Sequence, residues 1–141
     1  NVLAYAVLAR IQGNRGRWGE AEDIHKKALM LDPNEPEALD NYRAMLSSVG
    51  RLKEALSVSQ QARALEPLVP AYAIRVANYL QFNGQTAASI PILEAAPPNA
   101  AGGLIRNAYL AQAYAAEGRY AEAADTLLLI SGVVSRQSRP R

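Results

Sequence analysis

The chain has 141 residues, 50% of them hydrophobic and 20% charged, the composition of a folded chain of one-domain size and not of a disordered, collagen-like or membrane-spanning one. Cysteine is absent and histidine occurs once, at His25, which excludes disulfides, thiolate chemistry and a histidine-based metal cluster. The formal charge of +2 comes from Arg136, Arg139 and Arg141; without these three of the 15 basic residues the 13 acidic ones are in excess, so a pI of about 9.1 is weak evidence for nucleic acid. No stretch approaches the roughly 18 consecutive apolar residues of a membrane helix. The N-terminus carries no secretory pattern and begins at Asn1, read here as a piece of a longer protein or a processed product.

The chain repeats. Gly16, Gly50, Gly84 and Gly118 stand 34 residues apart, and a fixed period of this length marks a stacked repeat architecture. In the first period (1–34) Leu8 precedes Gly16-Arg17-Trp18, then come Ala21, Ala28 and a closing Asp32-Pro33. In the second (35–69) Leu39, Tyr42, Leu46 and Val49 lie on one helical face before Gly50, and Ala55, Val58, Ala62 and Leu65 on another after it. Each glycine sits where a first helix must stop, and Pro36 and Pro70 suit the first turn of the next. The small residue five steps past each glycine (Ala21, Ala55, Ser89, Ala123) leaves room for two helices to approach. Trp18, Leu52 and Tyr120 are expected to fill space beside the turns, with Thr86 as the weak member.

The third period (70–103) departs from the pattern. Pro91 lies within its second helix and Pro97-Pro98 end it early, so a shortened helix is predicted, with Asn99 as an alternative cap for an extended helix toward Glu117. The fourth (104–131) restores the pattern in Leu110, Gly118-Arg119-Tyr120 and Ala123. Residues 132–141 read as a basic, disordered tail. With no polar closing helix in sight, either Val133-Val134 fold back or the C-terminal face self-associates or docks within a larger chain.

The 34-residue period with Gly, a large residue two steps on, Ala three further and a closing Asp-Pro resembles the tetratricopeptide repeat over about residues 2 to 131. The resemblance implies an all-α fold, a right-handed α-solenoid of antiparallel helix pairs with about eight helices, and a concave groove for a peptide or partner domain. Carried over by register, the groove residues are Arg10, Asp40, Asn41, Arg75, Asn78, Gln81, Tyr109 and Gln112. Most are polar or amide-bearing, suited to pairing with a peptide backbone, and Arg10 and Arg75 suit carboxylates. One subgroup of the family clamps a C-terminal carboxylate with two Lys, two Asn and one Arg. Here Asn41 and Arg75 match, but Ala6 and Ala71 occupy the lysine places and Arg10 replaces an Asn. A general peptide groove with an anionic preference follows in place of the clamp.

Other residues read as structure. His25 falls where the repeat has a core aromatic and is taken as packing. Glu22 with Lys26 and Asp23 with Lys27 read as i, i+4 pairs on a solvated face. Most tyrosines fall at core positions, Tyr109 being the exposed exception. Between Pro67 and Ala116 only Arg75, Glu94 and Arg106 are charged, either a face covered by a partner or an alanine-rich scaffold. No phosphate loop, metal-ligand cluster or nucleophile–base pair is present, so no cofactor, no nucleic acid and no membrane is expected. The leading expectation is a non-catalytic protein-interaction scaffold. The alternative is an accessory or regulatory segment of a larger protein such as a cyclase, glycosyl- or sulfotransferase or transcriptional regulator.

Overall fold

The computed structural model describes residues 1–98 and 102–137, with side chains described up to residue 130. The elements in chain order are α1 (Val2–Asn14), α2 (Trp18–Leu31), α3 (Pro36–Ser48), α4 (Leu52–Leu65), α5 (Pro70–Phe82), α6 (Thr86–Ala95), α7 (Gly103–Ala116) and α8 (Tyr120–Gln137). No strand occurs among the described residues. The chain forms two compact units, residues 1–68 and 69–141. In the first, α1 packs on α2, α3 on α4, and α3 also on α1 and α2; in the second, α5 packs on α6, α7 on α8, and α7 also on α5 and α6.

The turn within each helix pair follows from its glycine. Gly16, Gly50, Gly84 and Gly118 have φ of +76°, +78°, +78° and +76°, a left-handed conformation that costs an L-residue roughly 1–2 kcal/mol. This places the next N–H against the carbonyl five residues back: Arg17 on Gln12 at 3.0 Å, Arg51 on Leu46 at 2.9 Å, Gln85 on Leu80 and Arg119 on Tyr114 at 2.8 Å. The same cap thus closes all four first helices and satisfies carbonyls that would otherwise lack partners. Pro36 and Pro70 occupy the first turns of α3 and α5 as expected.

The small residues fall on the helix crossings, where Ala21, Ala55, Ser89 and Ala123 are all buried. Ser89 keeps its hydroxyl there by donating to the Thr86 carbonyl at 2.7 Å. The large residues beside the turns behave less uniformly. Trp18 lies against Gly13, where an added methyl would meet its Cζ3 at 3.0 Å, whereas Tyr120 is 72% exposed and fills nothing. In the second unit the core gathers Ile74, Ala77, Ile90, Leu93, Leu110, Ala113, Tyr114 and Ala123.

The third repeat is shortened as predicted: α6 has 10 residues, against 14 in α2 and α4. Pro91 lies inside α6 and has no N–H to give to the carbonyl one turn back, and Pro97 and Pro98 follow its end. Asn99 lies outside the described residues. The helix that follows starts at Gly103 and is preceded by Gly102 as its cap. A side chain at Gly103 would collide with the Pro98 carbonyl, so glycine is required where the chain re-enters a helix. At the other end α8 is one helix through Gln137. It continues across 132–137, which the sequence assigned to a tail, and Val133-Val134 prolong it without folding back. Residues 138–141 lie outside the described residues.

Candidate peptide-binding faces

In the first unit α1 and α3 bring Arg10 and Asn41 to one pocket of about 200 Å³, whose wall also includes Gly13, Asn14, Trp18, His25, Ala44, Met45 and Ser48. Gly13 makes room for the Trp18 ring, whereas the equivalent positions of the later repeats, Ser47, Gln81 and Ala115, all carry a side chain. Asn41 donates its Nδ2 to the Glu37 carbonyl at 2.8 Å, and Ser48 donates its hydroxyl to the Ala44 carbonyl at 3.0 Å. Arg10 is exposed and makes no ion pair among the described residues. Asp40, the third residue expected here, does not line the pocket; Arg43 Nε holds its Oδ1 at 2.9 Å.

His25 is 1% exposed, with its ring 5.5 Å from that of Tyr42. Burial pushes its pKa down to about 4, so the imidazole is neutral at physiological pH, and its Nδ1 has no hydrogen-bond partner. Packing is therefore the setting of His25, but it also lines the pocket, as does Trp18. Neither was singled out as a site residue. The signals were a glycine in the last turn of α1, at position 13, and a polar residue at the core position 25.

The second unit arranges its candidates differently. Gln81 donates Nε2 to Ser89 Oγ and to the Tyr109 carbonyl, both at 3.1 Å. Tyr109 is half-buried against the core, correcting the expectation of an exposed ring, because its helix packs on α5 and α6. The Arg75 guanidinium lies 5.7 Å from the Tyr72 ring centroid, a cation–π contact. Asn78 is half-buried and Gln112 exposed. Gln81 and Tyr109 thus come together through a hydrogen bond that closes the space between α5 and α7.

Both units lock neighbouring repeats with a glutamate. Glu22 Oε1 accepts from Lys26 Nζ at 3.0 Å, Arg51 Nη1 at 2.8 Å and the Tyr42 hydroxyl at 3.3 Å. Those bonds hold its carboxyl below the usual carboxylate range. The Glu22–Lys26 pair was legible in the sequence; Asp23 and Lys27 form no pair among the described residues. In the second unit Glu94 accepts from the Tyr114 hydroxyl at 2.9 Å, with Arg119 Nη2 3.8 Å away. Arg106, 8% exposed, donates to the carbonyls of Leu93 and Glu94 at the end of α6, where a helix terminus favours positive charge. Of the three charges in the sparsely charged half, Arg106 therefore serves the interior, whereas Glu94 is exposed. Among the described residues there is no metal-binding cluster and no helix long and apolar enough to cross a membrane.

This helix-pair geometry, with its glycine turns and small crossing residues, is that of an all-α repeat protein, and comparison with known proteins gives the class. Residues 4–37 match the family described as Tetratricopeptide repeat. The crystal structure of MamA superposes with a TM-score of 0.85 over 98% of this chain and 81% of that one, at 18% identity. YrrB, described as a TPR protein with an unusual peptide-binding site, gives a TM-score of 0.79 over 94% of this chain and 68% of that one, at 17% identity. Its first repeat thus matches the tetratricopeptide repeat, and the whole chain has the fold of an α-solenoid of helix pairs. It is also 32% identical over 84 residues to the human Protein O-mannosyl-transferase TMTC1, a match covering 60% of this chain and 9% of that protein. The chain spans less than a tenth of the length of the curated relatives it matches.

Proposed function

We propose that the chain is a non-catalytic protein-interaction scaffold that takes an extended acidic segment of a partner on the inner helices of its repeats. The observation that carries this reading is the pocket of the first unit, where Arg10 and Asn41 meet beside Trp18. Arg10 supplies a charge with no internal partner for a carboxylate, and Asn41 an amide for the peptide backbone. In the second unit, taken by itself, Asn78 and Gln112 are the polar candidates of α5 and α7, whereas Gln81 and Tyr109 are engaged with each other. The same fold in YrrB, whose description includes a peptide-binding site, supports the reading. The leucines Leu127, Leu128 and Leu129 of α8, each more than half exposed, are proposed to contribute a second contact surface, toward another copy or an adjoining segment.

Trp18 is the sole tryptophan, so its fluorescence reports directly on this pocket. Acidic peptides titrated against the chain are expected to change that signal saturably, and Arg10→Ala to weaken them by about tenfold, the scale of one charge-assisted hydrogen bond. Unchanged affinity in Arg10→Ala would refute the assignment. A second reading, a repeat segment serving a larger enzyme, is favoured by the likeness to an O-mannosyl-transferase. The sequence flanking this chain in its full-length protein decides it, by containing or lacking a transferase region.

A further inference from the structure

Within each unit the first helix of one repeat lies on the second helix of the repeat before it, α3 on α2 and α7 on α6. The residues that meet there hold fixed places in the period. The Tyr42 ring of α3 stands 5.5 Å from the ring of His25 in α2, and Leu110 and Ala113 of α7 share one core cluster with Leu93 of α6. The 34-residue period carries His25 and Leu93 to Leu127 of α8, Tyr42 and Leu110 to Leu8 of α1, and Ala113 to Ile11. An interface that the chain makes twice therefore has both its halves again, one on α8 and one on α1, and both are uncovered. Leu127 is 54% exposed where His25 and Leu93 are 1% and 0%. Leu8 is 43% exposed where Leu110 is 4%, and Ile11 is 41% exposed where Met45 and Ala113 are 6% and 0%. Ala4 completes the stripe at i, i+4 and i+7 of α1; it too is exposed where Ala38 and Arg106 are buried. Single exposed leucines are ordinary on a surface, but these stand at positions that the repeat elsewhere reserves for contact.

We propose that copies of this chain stack head to tail, α8 of one copy against α1 of the next, with Leu127 packing on Leu8 and Ile11 of the other copy as Leu93 packs with Leu110 and Ala113 inside the chain.

The choice of a second copy comes from the shape that each face asks for. The stripe of α1 fits the second helix of a repeat, and Leu127 fits the first helix of one; this chain carries both surfaces, and a solenoid end without a polar closing helix exposes its stacking surface. The pairing is apolar on both sides, with two leucines where the first unit has a tyrosine and a histidine. Charge does not oppose it: the single charged side chain of α1 is Arg10, whereas the first turns of α8 carry Glu122 and Asp125. Because two different patches meet, the contact is heterologous and gives rings or filaments in place of a twofold dimer. This inference rests on the reading of the α8 leucines as a contact surface, gives that surface its occupant, and does not involve the peptide pocket.

The test is sedimentation equilibrium of the whole chain and of single-site variants. The native chain is expected to exceed the mass of one copy at concentrations on the order of 100 μM, the range of a small interface without charged anchors. Leu8→Glu and Leu127→Glu each put a charge on one exposed half of the contact, so both should keep the native helix content, and each alone is expected to remain a single copy. Mixed in equal amounts they are expected to form a dimer and stop there, since one intact pairing remains, the native Leu127 of the first variant against the native Leu8 of the second. Leu68→Glu, at an exposed leucine outside both faces, should associate as the native chain does. A native chain that stays a single copy at about tenfold higher concentration, a mixture that stays single copies, or equal loss in Leu68→Glu overturns the proposal. Association that responds to only one of the two substitutions also overturns it; if that one is Leu127→Glu, α8 meets α8 and the reading of its leucines as a contact surface stands without the head-to-tail pairing.

Discussion

The two units are built on the same turn and the same small crossing residues, yet differ in what they do with the space between their first helices. The second unit fills it: Gln81 bonds across to Tyr109, Leu93 is buried beneath, and Arg106 ties the shortened α6 to α7. The first unit has Gly13 there with Trp18 packed over it, a pocket of about 200 Å³ beside them, and the buried, neutral His25 where Leu93 stands in the other. Both buried side-chain atoms lacking a partner among the described residues, Gln12 Oε1 and His25 Nδ1, belong to the first unit. A repeat scaffold fixes its backbone with a handful of residues per period and leaves the rest free to seal or open a site.

The largest expected consequence of the difference is in the response to acid. Burial holds the folded pKa of His25 at about 4, below the ordinary imidazole value of 6.5, so the unfolded chain takes up a proton as pH falls through 6.5 while the folded one stays neutral. Its contribution is complete above pH 6.5 and declines toward pH 4, by up to about 3 kcal/mol. Urea unfolding at several pH values should show that decline in the native chain and a flatter profile in His25→Phe. Equal slopes in the two would remove His25 from the first unit's acid sensitivity. A smaller effect is expected from opening the second unit. Gln81→Gly removes the bond to Tyr109 and places glycine in the last turn of α5, which should cost about 1 kcal/mol in denaturant unfolding. A loss below a few tenths would mean that Gln81 contributes no packing or bonding of note.

The frame of the fold was legible because its determinants are local. A glycine every 34 residues, prolines at first turns and Ala five steps on act within a few residues of themselves, so helix ends and crossings could be read directly. The short α6 was legible for the same reason, through Pro91 and Pro97-Pro98. The site was legible only in part. Register alone placed Arg10 and Asn41 on inner helices, but their meeting with His25 and Trp18 depends on three helices at once. Asp40 was lost to Arg43, a neighbour three residues on that the repeat register did not consider. Tyr109 was expected in solvent and lies against the core, because repeat register fixes the side of a helix and not how deeply the adjoining helices cover it.

The most direct test is selection of random peptides on the whole chain beside its Arg10→Ala variant. The predicted result is enrichment on the native chain of peptides carrying Asp or Glu, and loss of that preference on Arg10→Ala. The same acidic peptides enriched equally on both chains would contradict a binding site in the first unit.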